Sequence, residues 1–307
     1  MKNILNVGIQ GKEQSFSYIG LLKLLEQVDK LSINNFNVLY FDNFDSLFYA
    51  FTNNNVELMF LPIENSTFGV ISDNIKYLFT CDQIYILSEV NLRIDLCLIS
   101  FDEATVDSIR FLYSHPVALG QIKNFLNLHK NIQVFSADDT AGAVMMLAKN
   151  LFDKPDRNLY AAVASRQAAI QYNLQIIKES IQDNKQNYTR FFLVTKKNTF
   201  DSYSILSKFH AVDIINSQKK LSLLFTSDND SKNVAKFLKY QISKYEVLQI
   251  LSIPNINTNF GKIYMFDYLA INNSSFSLDI FYQIQIDNFN LKIFQAPDGP
   301  YPSITFD

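Results

Sequence analysis

The chain has 307 residues, 48% hydrophobic and 19% charged, which excludes an intrinsically disordered state and gives core enough for about two domains. Its net charge of -3 argues against a dedicated nucleic-acid binder. Two cysteines (Cys81, Cys97) and three scattered histidines (His115, His129, His210) make no disulfide framework and reach no zinc-site spacing, and no apolar run is long enough to cross a bilayer.

The pattern predicts a buried strand over 4–9 and a helix over 15–28, with Tyr18, Leu21, Leu22, Leu25 and Val28 on one face. A strand over 37–41 and a helix over 44–53 follow, then a strand over 56–63 that ends in a polar turn. Further strands are predicted over 83–88, 92–99, 110–113, 132–135 and 159–164, with helices over 116–128, 140–152 and 165–172. The last strand of this region is TRFFLVT, 189–195. Alternation of this kind implies α/β with a largely parallel sheet, where ligands bind beyond the carboxyl ends of the strands. Residues 198–218 lack a clear period and are read as a connector. Strands over 221–226, 246–253, 262–271 and 291–296, with helices over 231–243 and 275–287, then give the order βαββαβ of a ferredoxin-like domain. No low-complexity tract or solenoid repeat occurs, and the N-terminus has no signal-peptide core, so a cytoplasmic protein is expected.

Four polar clusters follow a strand or open a helix: Glu64-Asn65-Ser66, Ser114-His115-Pro116, Asp138-Asp139-Thr140-Ala141 and Asn187-Tyr188-Thr189-Arg190-Phe191. Free N–H donors at helix N-termini suit anions. Each cluster also has a plain structural reading, since Ser114, Asp139 and Thr140 are good N-caps. Glu64 could be a solvated turn carboxylate, and Arg190 a surface ion pair. Arginine is scarce here, five against 22 lysines, and its planar fork suits a carboxylate. Neither a GxSxG elbow, a Walker A motif nor a GxGxxG turn is present.

Taken together, the clusters resemble the prephenate dehydratase family over residues 4–196. Pro62-Ile63-Glu64-Asn65-Ser66 resembles its PIENS segment, and Ser114-His115-Pro116 through Gln121 its SHP…Q segment. Thr140-Ala141-Gly142-Ala143 is similar to its TA-rich helix start and Thr189-Arg190-Phe191 to its TRF signature. The second domain resembles an ACT domain. Four places depart from the family pattern, the smallest being Ile122 where the family often has cysteine after Gln121. Gln14 stands where the family has glycine before Ser15-Phe16-Ser17, Asp230-Ser231-Lys232-Asn233-Val234 replaces the Gly-Ala-Leu turn, and Leu251-Ser252-Ile253-Pro254 replaces the ESRP segment.

The resemblance implies a two-lobed, periplasmic-binding-protein-like catalytic domain over 1–197, the connector over 198–218 and an ACT-like regulatory domain over 219–307. It implies decarboxylative dehydration of prephenate to phenylpyruvate, without metal or cofactor. Thr189, Asn65, Ser114 and Gln121 are implied as catalytic, with Glu64, Ser66, His115, Thr140, Ala141, Arg190 and Phe191 around the substrate. It also implies a phenylalanine effector, a homodimer or homotetramer, and neither nucleic-acid nor membrane partners. The first strand begins by residue 4, so one activity without a preceding mutase bundle is expected. Arogenate dehydratase is the alternative enzyme, and a non-catalytic amino-acid sensor of the same fold the alternative class.

Overall fold

The computed structural model describes residues 4–28, 31–150, 153–209, 218–227, 247–254, 262–269, 291–294 and 301–306. The first lobe contains β1 (Leu5–Gln10), α1 (Phe16–Gln27), β2 (Phe36–Phe41), α2 (Phe44–Thr52), β3 (Leu58–Asn65), the short β4 (Gly69–Val70), α3 (Ser72–Thr80) and β5 (Ile84–Arg93). The second contains β6 (Cys97–Ser100), β7 (Phe111–Ser114), α4 (Pro116–Gly120), α5 (Lys123–Leu128), β8 (Gln133–Ser136), α6 (Thr140–Asn150), β9 (Tyr160–Ala164), α7 (Arg166–Gln171) and β10 (Gln175–Lys178). The chain then returns to the first lobe as β11 (Tyr188–Lys196), followed by α8 (Lys197–Ser202). Two crossings, after β5 and before β11, therefore join two α/β lobes, the arrangement expected from the sequence.

In the first lobe β1 pairs in parallel with β2 and β3, and β11 lies antiparallel between β3 and β5. β1 is apolar because both faces are covered. Gly8 is the point where α2 presses closest: a Cβ there would stand 2.5 Å from Leu47 Cδ1. Ser15 caps α1 by accepting from the Tyr18 N–H at 3.3 Å, and Asn43 caps α2 by accepting from the Ser46 N–H at 2.9 Å. In the second lobe β8 and β9 flank β7 in parallel, and β6 and β10 continue antiparallel.

β12 (Gln218–Ser227), β13 (Val247–Pro254), β14 (Lys262–Leu269), β15 (Leu291–Phe294) and β16 (Tyr301–Phe306) complete the described chain. β14 lies between β12 and β13, and β15 pairs β12, all antiparallel. That strand order is the one a βαββαβ unit produces. The two predicted helices of this region lie outside the described residues, as do Asp230–Val234. β16, which the sequence pattern misses, pairs antiparallel with β12 and in parallel with β5. The C-terminal strands thus extend the first-lobe sheet.

Two elements differ from expectation in ways that matter below. The strands predicted over 83–88 and 92–99 form one strand, β5, up to Arg93 and a second, β6, from Cys97. Glu89 imitates a turn in the sequence but is fully buried within β5. The helix predicted over 116–128 divides into α4 and α5 at Gln121, whose N–H bonds back to Ala118 at 3.1 Å in a tightened last turn. Helix α3 and strand β10 have no counterpart among the predicted elements.

Candidate active site

A cleft of about 230 Å³ opens between the lobes, at the carboxyl ends of β1 and β7 and beside β3 and β11. The first lobe contributes the turn after β1, the start of α1, Pro62, Asn65, Thr189 and Phe191; the second contributes His115, Gln121, Asp139 and Thr140. Gly11 makes the turn after β1 at φ +101°, and Gln14 closes it at φ +65°. Gln14 therefore holds the left-handed conformation for which glycine is suited, at a cost of roughly 1–2 kcal/mol. The Gln14 carbonyl accepts from Ser165 Oγ across the cleft at 2.9 Å.

A β-bulge determines which side chains meet in the cleft. Thr189 pairs with Asn65, Arg190 with Glu64 and Phe191 with Pro62, so Ile63 is the extra residue in β3. Without it, Pro62 and Asn65, three apart, would face opposite sides of the sheet. The bulge turns both toward the cleft, opposite Phe191 and Thr189. Phe191 stacks on Phe60 at 5.0 Å between centroids, which gives this wall an apolar surface.

Asn65 organises the polar part. Its Oδ1 accepts from the backbone N–H groups of Thr67 (2.9 Å) and Phe68 (2.8 Å). Backbone amides can only donate, so the other end of this side chain must be the NH2 group. That group donates to Thr189 Oγ1 and to Asn187 Oδ1, both at 2.9 Å. Thr189 Oγ1 is thus an acceptor toward Asn65, and its own proton is left to donate into the cleft. Gln121 donates from Nε2 to Asn65 Oδ1 at 3.3 Å and accepts from Asn187 Nδ2 at 2.8 Å.

The second-lobe wall holds the titratable groups. His115 caps α4 through Nδ1, which accepts from the Val117 N–H at 3.2 Å. Its proton therefore sits on Nε2. Burial holds the imidazole below its usual 6.5, with Asp139 opposing in part. Asp139 accepts from the Gly142 N–H at 2.7 Å and caps α6. Burial pushes its carboxyl up, and that hydrogen bond and the Lys12 charge pull the other way. Among the described residues lining the cleft there is no lysine or arginine. Positive potential comes instead from the starts of α1 and α6.

Five residues implied by the sequence resemblance do not line the cleft. Arg190 points to the opposite face of β11, where it bridges Glu89 and Asp267. Alternation along the strand requires this once Thr189 and Phe191 face the cleft. Glu64 is Arg190's register partner and shares that face. Ser66 is exposed, donating to the Gln186 carbonyl and accepting from the Tyr188 N–H, and so fastens the lead-in to β11. Ser114 is fully buried and donates to the Val163 carbonyl at 2.6 Å. Ala141 belongs to the second-lobe core with Val144 and Leu147. Thr189, Asn65, Gln121, His115, Thr140 and Phe191 do meet in the cleft. Asn187 and Asp139 join them through its hydrogen bonds and lining, although sequence reading noted both only as cluster members or caps. Burial of so polar a residue as Asn187 is the signal that a sequence does not display.

A family model described as Prephenate dehydratase matches residues 7–199. A prephenate dehydratase of Methanocaldococcus jannaschii is 30% identical over 235 residues, which cover 76% of this chain and 73% of that protein. The Arabidopsis thaliana protein named arogenate dehydratase/prephenate dehydratase 2 is 36% identical over 157 residues, covering 51% of this chain and 39% of its own. The crystal structure of prephenate dehydratase in complex with L-Phe from Arthrobacter aurescens has the same fold. It aligns with a TM-score of 0.72 at 16% identity, over 98% of this chain and 90% of that one.

Proposed function

The chain belongs to the prephenate dehydratase family, and on that premise we propose that it converts prephenate to phenylpyruvate. The reaction breaks two bonds. The pair of the bond to the ring carboxylate moves into the ring as carbon dioxide leaves, and the ring hydroxyl departs with its bonding pair. That oxygen takes up one proton and leaves as water. Prephenate dianion plus a proton gives phenylpyruvate anion, carbon dioxide and water.

The observation that carries this reading is the Thr189 hydroxyl, which lines the cleft and accepts from Asn65, so that its own proton remains available to a bound group. Threonine is too weak an acid to give that proton away outright. A preorganised hydrogen bond that strengthens as charge grows on the departing oxygen is what its chemistry allows. The neutral His115, with its proton on Nε2, is suited to relay the proton from water. Amides and helix starts orient the two carboxylates without the grip of a guanidinium, so the ring carboxylate is free to fragment. Phe191 supplies a poorly solvating wall, which favours loss of charge as carbon dioxide.

One observation favours arogenate as a second substrate. The Asp139 carboxylate lines a cleft otherwise lacking charged side chains of either sign among its described lining, and it would attract the ammonium group that distinguishes arogenate from prephenate. For the rest of the chain, we read residues 1–197 as catalytic, 198–218 as connector and 219–307 as an ACT-like regulatory domain. Phenylalanine would be its effector, in a cytoplasmic homodimer or homotetramer. The strand order β13-β14-β12-β15 supports the regulatory reading.

The test is an assay of purified protein with prephenate and, separately, arogenate, with and without phenylalanine, with the assembly sized by light scattering. Phenylpyruvate from prephenate is expected, with inhibition in the phenylalanine series. A folded protein that turns over neither substrate would favour the non-catalytic sensor.

A further inference from the structure

Resting on the dehydratase reading, we propose that Asn187 is a positioning residue for the reaction: its side chain aims Thr189 through Asn65 and fixes Gln121 of the opposite lobe in the same hydrogen-bonded ring. Asn187 is fully buried. The orientation of the ring follows from one fixed point. Backbone N–H groups of Thr67 and Phe68 hold Asn65 Oδ1, so Asn65 presents NH2 to Asn187 Oδ1. Asn187 then presents its own NH2 to Gln121 Oε1 at 2.8 Å and to the Ile94 carbonyl at 3.4 Å. Gln121 in turn presents NH2 back to Asn65 Oδ1. Each side chain donates to the next, and reversing any one amide sets two donors or two acceptors face to face.

The ring also ties the lobes. Asn65 belongs to the first lobe, Asn187 to the crossing that leads into β11, and Gln121 stands at the break between α4 and α5 in the second lobe. Ile94 lies on the crossing after β5, and its N–H donates to the Asn187 carbonyl at 2.7 Å. Asn187 thus grips this crossing with both backbone and side chain, two residues before Thr189. A change in lobe position is carried directly to the atom that donates to the leaving group.

The test uses the full chain with N187A and N187D, each checked for folding by circular dichroism and thermal melting. N187A is expected to lower kcat about 10²-fold, the cost of misplacing a reacting group by about 1 Å, with KM within about threefold because the substrate's own contacts persist. In N187D a carboxylate cannot donate to Gln121 or Ile94, but the protonated acid can. Its kcat therefore rises as pH falls, relative to the parent protein at each pH. The hydrogen-bond partners Asn65, Gln121 and Ile94 do not titrate, and the contributions of His115 and Asp139 in the cleft are carried by the parent's profile. A folded N187A with near-parental kcat, a folded N187D whose pH profile parallels the parent's, or failure of both variants to fold each overturns the positioning role. A parent inactive on both prephenate and arogenate overturns the dehydratase reading, and this proposal with it.

Discussion

Thr189 and Arg190 are adjacent on β11, and the two faces of that strand solve opposite problems. On the cleft face Thr189 and Phe191 meet neutral amides and an aromatic ring, and no described lysine or arginine lines the space. On the other face Arg190 donates to Glu89 Oε2 from Nε and Nη2, at 2.8 and 2.6 Å, and to Asp267 at 2.5 and 3.0 Å. All three side chains are at most 6% exposed. Charge is concentrated on the face turned away from the cleft, which on the proposed reaction keeps it from the place where a carboxylate is released. The charged face fastens β14 of the C-terminal region to the strand that carries Thr189. Met265, two residues before Asp267, packs into the same first-lobe core as Phe192.

This contrast predicts that T189A abolishes most activity and spares the fold. Loss of one preorganised donor is expected to lower kcat about 10²–10³-fold, with little change in melting temperature, and T189S should restore much of it. Near-parental kcat in T189A would sink the assignment of the donor.

The opposite face should respond in stability. R190A removes the guanidinium that bridges two buried carboxylates and is expected to cost about 3–5 kcal/mol in urea unfolding. D267N leaves Arg190 paired with Glu89 and keeps a side-chain oxygen that can accept from the guanidinium, so its cost should be clearly smaller. Equal losses from the two substitutions would mean that the cluster does not act through its charge balance.

A pH effect sharpens the second-lobe wall. The His115 value is depressed in the folded chain, so the unfolded chain binds more protons between the folded value and 6.5. Its contribution to stability is therefore present above pH 6.5 and lost as pH falls through the folded value. H115N keeps a capping acceptor and cannot titrate, so its stability should decline less than the parent's below pH 6.5. Curves that run parallel would place the acid sensitivity elsewhere.

The smallest effect lies at Gln14. Q14G relieves strain of roughly 1–2 kcal/mol but gives the unfolded chain extra freedom, so a net gain of about 0.5–1 kcal/mol is expected. A loss would show that the Gln14 side chain contributes contacts worth more than the strain.

Most first-lobe elements, α3 and β4 excepted, and the polar clusters are legible in the sequence because each carries a local signal: a period, a cap, or a turn after a strand. The resemblance puts Arg190 toward the substrate, and TRFFLVT does not correct it, because a strand buried on both faces shows no alternation to say which side a residue takes. The bulge at Ile63 was invisible for the same reason, being one more apolar residue in an apolar run. Ser114 and Ser66 are site residues only by the family resemblance, and backbone partners satisfy both hydroxyls. Gln121 was found, yet the helix break that delivers it was not, since the pattern over 116–128 remains helical through that point.

The pairing of β16 with β5 has a consequence for how the chain is made. β5 is synthesised early, and the strand that covers its outer edge emerges far later in sequence. Until then β5 presents an unpaired row of N–H and C=O groups, the kind of edge on which another chain can nucleate. Contacts of such long sequence separation also form slowly. The first lobe therefore stays sticky throughout synthesis, and the C-terminal strands act on it as a late-arriving seam that keeps newly made copies apart.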